Sequence, residues 1–201
     1  MKRLLELFSG TKSVSKAVGI QYSEVVNVDM MDTYSPTIKS DILNWDYKVF
    51  PPGYFHTIWA SPPCTEYSKL NQSHPGKTPN LELADSIVKK TIEIIEYFKP
   101  VKWYIENPQS GTLKDREFMW SIPFYDVDYC SYSNWGYKKR TRFWTNVDDF
   151  KPLLCLKKNC PNKEGLKHKI MIGNGFNGRT TLAERYRIPE KLIQELFECN
   201  P

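Results

Sequence analysis

The chain has 201 residues, 40% of them hydrophobic, and 28 Lys and Arg against 23 Asp and Glu give it a net charge of +5. That length supports one substantial core and excludes two ordinary domains. No stretch approaches the roughly 20 apolar residues needed to cross a membrane, and the apolar run near the N-terminus is too short for a secretory signal. Five cysteines without disulfide-framework spacing point to a reducing, intracellular (cytoplasmic) setting. The mild positive charge permits a nucleic-acid partner without demanding one.

In chain order, residues 4–8 form a short apolar run that ends at Ser9-Gly10, where the chain must turn, and 13–18 then reads as a helix. Residues 24–28 are β-rich and end on Asp29. Residues 57–60 are another apolar run, ending at Ser61-Pro62-Pro63-Cys64, and 68–80 have the composition of a loop. Asn80 is placed to cap a helix in which Ala84, Ile87, Val88, Thr91, Ile95 and Phe98 recur at helical spacing, with Pro100 as its stop. Residues 101–105 read as a strand ending on Glu106-Asn107-Pro108. The alternation of strand and helix predicts an α/β fold with a mostly parallel sheet covered on both sides. Past Tyr125 the pattern changes to paired strands, roughly 125–132 and 142–145. A loop-rich stretch over 148–178 follows, then a helical tail over 181–197. The tail opens on a capping-box pattern, Thr181-Leu182-Ala183-Glu184, and Ile188-Pro189 starts a second helix.

Gly10, Asp29, Cys64 and Glu106 each fall just past the end of an expected strand, the edge where open α/β sheets bind ligands. Gly10 lets backbone approach a ligand closely and opens a helix toward it. Asp29 is either an ordinary turn aspartate or an acceptor for ribose hydroxyls. A lone cysteine is by default a small buried hydrophobe. Cys64, however, follows two prolines, precedes a polar loop, and has Arg140 and Arg142 as candidate neighbours that would favour the thiolate a nucleophile needs. Glu106 either caps a following helix or, beside a nucleophilic cysteine, bonds to a ring nitrogen. The basic run Lys138-Lys139-Arg140-Thr141-Arg142 reads as a solvated turn or as a holder of phosphate or another polar ligand.

Together these motifs resemble the cytosine-C5 DNA methyltransferase family. Leu7-Phe8-Ser9-Gly10 is similar to its cofactor motif, and Pro62-Pro63-Cys64 to its catalytic motif. Glu106-Asn107-Pro108 is similar to its glutamate-asparagine motif, with Pro where Val is usual, and Arg140-Thr141-Arg142 to its arginine-x-arginine pair. The motifs occur in the family's order over residues 4–142, more loosely to 196, and residues 183–189 resemble compact members carried by bacteriophages and other viruses. The resemblance implies a Rossmann-like methyltransferase fold with a late antiparallel strand, S-adenosylmethionine as methyl donor and DNA as substrate. It implies Phe8, Gly10, Asp29, Met30, Asp41, Ile42 and Pro62 as cofactor-binding residues. Cys64, Glu106, Arg140 and Arg142 are the catalytic set it implies, acting on a base flipped out of the duplex, with 65–80 as a candidate lid.

The chain departs from that pattern in several places. Lys12 stands where a second glycine is usual and is read as meeting the methionine carboxylate. The arginine pair sits one residue nearer Gly136 than in the common pattern. Residues 1–147 are expected to form the catalytic core, 148–178 a reduced target-recognition region, and 179–201 a helical segment returning to the core. About thirty residues are far below an ordinary domain, so a short or relaxed recognition sequence is expected, or a partner protein that supplies specificity. Gly173-Asn174-Gly175 is at most a remnant of the family's last motif. Cys155, Cys160 and His168 lack a standard zinc spacing and an evident fourth ligand, so they are read as loop residues and no metal is assigned. The chain is expected to act as a monomer, away from membranes. The competing readings are the same chemistry on transfer RNA and a non-catalytic nucleic-acid-binding protein.

Overall fold

The computed structural model describes residues 1–69, 76, 78–173 and 179–201. Seven strands form one sheet: β1 (Arg3–Leu7), β2 (Glu24–Asp29), β3 (Ile38–Lys39), β4 (Thr57–Ala60), β5 (Lys102–Pro108), β6 (Phe124–Asp128) and β7 (Arg140–Thr145). Their order is β3-β2-β1-β4-β5-β7-β6. Pairing is parallel from β3 to β5, and β7 runs antiparallel to both of its neighbours. This is the expected Rossmann-like sheet with one late antiparallel strand.

Helices cover both faces. Leu4, Trp59, Tyr104 and Phe143 pack with α1 (Ser13–Val18) and α4 (Glu190–Glu198) through Val14, Val18, Leu192, Ile193 and Leu196. On the opposite face, Leu5, Leu7, Ile58, Ala60, Ile105 and Trp144 pack against α2 (Leu81–Phe98) through Ala84, Val88, Ile94 and Phe98. Burial on both sides explains why β4 has no polar face: all four of its residues are buried. As expected, Asn80 caps α2, its side-chain oxygen accepting from Leu83 N at 3.0 Å. The helix ends at Lys99, whose φ of 47° is left-handed, just before Pro100.

Several bounds differ from the sequence reading. β5 extends through Pro108 because antiparallel β7 continues the ladder beyond the point where parallel β4 stops. Glu106 and Asn107 therefore sit within a strand and not past its end. β6 stops at Asp128 and passes into a short 3-10 turn, Tyr129–Ser131, and β7 begins at Arg140, ahead of the apolar residues that mark it in the sequence. The tail is two helices, α3 (Leu182–Tyr186) and α4, with Pro189 between them, and the capping box at Thr181 and Glu184 is present. The described part of 148–178 contains a 3-10 turn, Lys157–Asn159, and a hairpin of β8 (Lys163–Glu164) and β9 (Lys167–His168). Two-residue strands such as β3, β8 and β9 leave no periodic signal to read. Most of the candidate lid (70–75 and 77), and Asn174 and Gly175 of the motif remnant, lie outside the described residues. Among the described residues no helix is long and apolar enough to cross a membrane.

One buried carboxylate seats the first turn of the fold. Lys12, at the N-cap of α1, offers no side-chain cap. Glu6 on β1 does the work instead, accepting from Val14 N at 3.2 Å and Ser15 N at 3.1 Å, and also from the Ser15 hydroxyl. Asn27 Nδ2 on β2 completes the set at 2.9 Å. Burial pushes the Glu6 carboxyl up to about 7, against the opposing pull of the bonds from Ser15 and Val14. A carboxyl raised on folding stabilises the fold fully below its unfolded value, and that contribution is lost as pH rises through about 7. Urea unfolding should therefore show a component on the order of 3 kcal/mol lost between about pH 4.5 and 7. That component should be absent in Glu6→Gln, whatever constant offset the substitution introduces.

Candidate active site

The loop joining β1 to α1 is held in an unusual backbone conformation. Phe8, Gly10 and Lys12 all have positive φ, at 55°, 43° and 56°, a region that side chains other than glycine's enter at a cost. Asp29, at the end of β2, compensates by clasping two loops: one carboxylate oxygen accepts from Gly10 N at 2.9 Å and the other from Met31 N at 2.8 Å. Lys12 Nζ reaches across the same gap to Ser35 O at 2.6 Å, so its ammonium ties the loop after β1 to the loop after β2. Space remains above Gly10, where an added Cβ would meet only Phe8 O at 3.9 Å. Ser9 Oγ is buried and unpartnered among the described residues, and Met30 is 62% exposed beside Asp29. An apolar surface next to a free buried hydroxyl, a glycine and a carboxylate suits a ligand with an aromatic ring and hydroxyls. Asp41 caps its own turn, accepting from Leu43 N at 3.0 Å, while Ile42 is buried in the core beneath.

Pro62 is also buried, and its carbonyl accepts from Asn107 Nδ2 at 2.9 Å. That bond ties the Pro62-Pro63-Cys64 turn to β5, next to Glu106. A second anchor follows at once. Tyr67 is fully buried and donates to Asp85 Oδ1 on α2 at 2.9 Å, and Arg116 Nε donates to the other oxygen at 3.0 Å. The chain on both sides of Cys64 is thus fixed by buried hydrogen bonds, while Cys64 itself is half-buried. Burial pushes its thiol above the ordinary value; Lys139 opposes that, Glu106 adds to it, and Arg185 opposes it. These charges define the surroundings of the sulfur.

Glu106 is 6% exposed and does not stand alone. Lys139 Nζ lies 3.3 Å from Glu106 Oε1, and Tyr129 OH donates to the same oxygen at 3.2 Å. Lys139 Nζ also donates to Arg185 O at 3.0 Å and lies 4.9 Å from the Tyr129 ring centroid. Burial, then the adjacent Glu106, pushes the Tyr129 phenol far above its ordinary value, so it remains a donor. Among the described residues, the bonds from Tyr129 and Lys139 converge on Oε1 of Glu106, which leaves Oε2 for a further partner.

Arg140 and Arg142 are placed differently from the expectation that they join Cys64 and Glu106. Glu106 pairs with Phe143 across β5 and β7, whereas Asn107 pairs with Arg142. Paired residues share a face and neighbours along a strand alternate, so both arginines point to the face opposite Glu106. There each makes a two-point ion pair with an aspartate of β6. Arg142 meets Asp126 at 2.7 and 2.9 Å, and Arg140 meets Asp128 at 3.0 and 2.7 Å. Lys139, from the same basic run, takes the position beside Glu106. Sequence reasoning missed Lys139, Tyr129 and Arg185. The shortened spacing after Gly136 signals Lys139, because a shift of one residue exchanges the faces of a strand. Nothing local marks Arg185, which the C-terminal segment delivers. Ile188 N donates to Ser13 Oγ at 3.1 Å and Tyr104 OH to Leu196 O at 2.8 Å, docking that segment beside α1 and β5.

No protein-family model matches the chain. It is 40% identical to a viral protein, the probable DNA (cytosine-5)-methyltransferase of Frog virus 3 (isolate Goorha), over 98% of this chain and 99% of the relative. Its fold is similar to that of a prophage-encoded E. coli protein assigned as a DNA modification methyltransferase, with a TM-score of 0.53 at 12% identity. That likeness covers 76% of this chain and about half, 51%, of the other. A full-length relative at 40% identity sets the family apart from the shared fold: this chain belongs to the DNA (cytosine-5)-methyltransferase family.

Proposed function

We propose that this chain methylates carbon 5 of cytosine in DNA, using S-adenosylmethionine and a transient covalent bond from Cys64 to the base. The observation that carries the reading is the neighbourhood of Cys64: a carboxylate, Glu106, and two cations, Lys139 and Arg185, bear on one half-buried thiol at the C-terminal edge of a parallel sheet.

The loop of Phe8, Ser9, Gly10 and Lys12, with Asp29, Met30, Asp41, Ile42 and Pro62, would hold the methyl donor. The free Ser9 hydroxyl, the exposed Met30 and the room above Gly10 fit its ribose and adenine. S-adenosylmethionine, when bound, supplies an electrophilic methyl group that an electron-rich carbon can take.

The protein's part is to make that carbon electron-rich. Carbon 5 of cytosine is a poor nucleophile because the ring is aromatic. Attack of the Cys64 thiolate on carbon 6 forms a C–S bond and moves the ring electrons toward carbon 5 and N3. Glu106, presenting its remaining carboxyl oxygen, bonds to the N3/N4 edge and stabilises the charge that develops there. Lys139 pins Glu106 and lowers the cost of forming the thiolate. Arg185 Nε, buried and unpartnered among the described residues, is the donor assigned to the base carbonyl. Arg140 and Arg142, which the resemblance assigns to this step, instead hold β6 against β7. Loss of the carbon-5 proton to a base then expels Cys64. A cytosine inside a duplex cannot reach the thiol, so the base must flip out.

The surface between residues 151 and 170 carries Lys151, Lys157, Lys158, Lys163, Lys167 and Lys169 against Glu164 alone, a composition suited to phosphate contacts. It supports 148–178 as the segment that meets DNA, with 1–147 and 179–201 building the site.

A duplex containing 5-fluorocytosine, which cannot lose a proton from carbon 5, should give a covalent adduct with the wild-type chain and S-adenosylmethionine but none with Cys64→Ser. Adduct formation with transfer RNA and none with duplex DNA would overturn the substrate. Free Cys64 should react with iodoacetamide along a pH profile whose midpoint lies above the ordinary thiol range. Lys139→Met should raise that midpoint further, and Glu106→Gln should lower it. Arg185→Ala should reduce kcat/KM by about 10²-fold with an unchanged melting temperature, whereas Arg142→Ala should act mainly by lowering the melting temperature. The opposite pattern would return the arginine pair to the base.

A further inference from the structure

Away from the site, four side chains that the active-site chemistry does not use come together. Cys130, Cys155, Cys160 and His168 place their ligand atoms within 4.8 Å of one another. They come from three parts of the chain: the 3-10 turn after β6, the stretch around the Lys157–Asn159 turn, and β9. All of these cysteines are free thiols. The Sγ atoms of Cys155 and Cys160 each lie 3.6 Å from His168 Nε2. Tetrahedral zinc with Zn–S of about 2.3 Å and Zn–N of about 2.0–2.1 Å separates a sulfur and a nitrogen ligand by about 3.6 Å. Three thiols and one imidazole gathered within 4.8 Å of one another are a standard structural donor set.

We propose that Cys130, Cys155, Cys160 and His168 bind one structural zinc ion that staples residues 148–170 to the catalytic sheet. The fourth ligand escapes the sequence because Cys130 lies 25 residues before Cys155 and comes alongside only when the chain after β7 returns along β6, where Leu153 O accepts from Asp128 N at 3.1 Å and Cys155 N donates to the Asp128 carboxylate.

A second observation shows why this segment needs a metal. Between residues 151 and 173 the buried side chains are those of Cys160 and Asn162, whereas Leu153, Leu154, Leu156 and Leu166 are all more than 40% exposed. A stretch with two-residue strands and almost no apolar core cannot offset its chain entropy by packing, and a metal supplies the missing cohesion. The surroundings are prepared for it. Asn162 Nδ2 donates to Cys130 O at 2.8 Å and Ser133 O at 2.7 Å, and its oxygen accepts from Gly136 N at 2.8 Å. Cys155 N donates to Asp128 Oδ2 at 2.9 Å, the carboxylate that also holds Arg140. Three thiolates around a divalent zinc leave one net negative charge, in a segment that carries Lys157, Lys158, Lys163 and Lys167. The staple would also brace the Gly136 turn, three residues before Lys139.

The full chain, purified without chelators or a polyhistidine tag, should contain about one zinc per chain by elemental analysis. Cys64→Ser should retain it. Cys130→Ser and Cys160→Ser should hold it at least ~10-fold more weakly. Because those variants could fail to fold, the wild-type protein provides an independent reading. After removal of zinc, added cobalt(II) should give the intense visible bands and thiolate charge-transfer absorption of a tetrahedral site. His168→Cys should keep the metal and shift those bands. A freshly purified chain with negligible metal and only weak, octahedral-type cobalt spectra would overturn the proposal. So would a disulfide among these cysteines, or loss of the metal in Cys64→Ser.

Discussion

The chemistry of this protein depends on one register, the pairing of Glu106 with Phe143 across β5 and β7. β7 is antiparallel in a parallel sheet, so it continues the ladder beyond the end of β4 and keeps Glu106 and Asn107 in extended conformation. Strand alternation does the rest. On one face Glu106 meets Lys139 and Tyr129; on the other Arg140 and Arg142 are bound to Asp128 and Asp126. A slip of one residue would exchange these sets and place the arginines beside the carboxylate.

The same register positions Cys64. Asn107, one residue past Glu106, faces the other way and holds the carbonyl of Pro62. The turn bearing Cys64 is therefore tied to the strand bearing Glu106 by a bond whose donor side chain is completely buried. On the other side of β4, Glu6 uses its carboxylate to seat α1 and thereby shapes the loop of Phe8, Gly10 and Lys12. Two buried polar side chains on β1 and β5, the strands on either side of β4, thus define the two halves of the candidate site. Each is anchored to backbone, Glu6 by the amides of Val14 and Ser15 and Asn107 by the carbonyl of Pro62, so each burial is offset by a hydrogen bond that fixes a loop.

The periphery follows a different logic. The core is built from apolar side chains on both sheet faces, but the lysine-rich segment after β7 has almost none. Its cohesion comes from polar connections: Asn162 to the turn at Ser133 and Gly136, Cys155 to Asp128, and the cysteine-histidine cluster. A small, basic, weakly packed element joined to a rigid sheet at a few points can present cations to a polyanion with little apolar surface of its own.

Much of this was legible in the sequence because the physics is local. The β1, α1, β2, β4 and α2 elements follow from apolar runs, an Asn cap and proline stops, and α1 (Ser13–Val18) and β4 (Thr57–Ala60) have the bounds that were read. The convergence of Gly10, Asp29 and Cys64 follows from the parallel sheet itself. What only tertiary structure decided is non-local. The face on which each residue of the 138–142 run points depends on strand pairing, so Lys139 and not an arginine meets Glu106. Arg185 is brought to Lys139, whose ammonium its carbonyl accepts from, because α4 docks beside α1 near the two ends of the chain. Cys130 joins Cys155, Cys160 and His168 because the chain after β7 returns along β6. Sequence determines which residues are available and what each can do; which of them meet is set by long-range pairing, whose energy no local window contains.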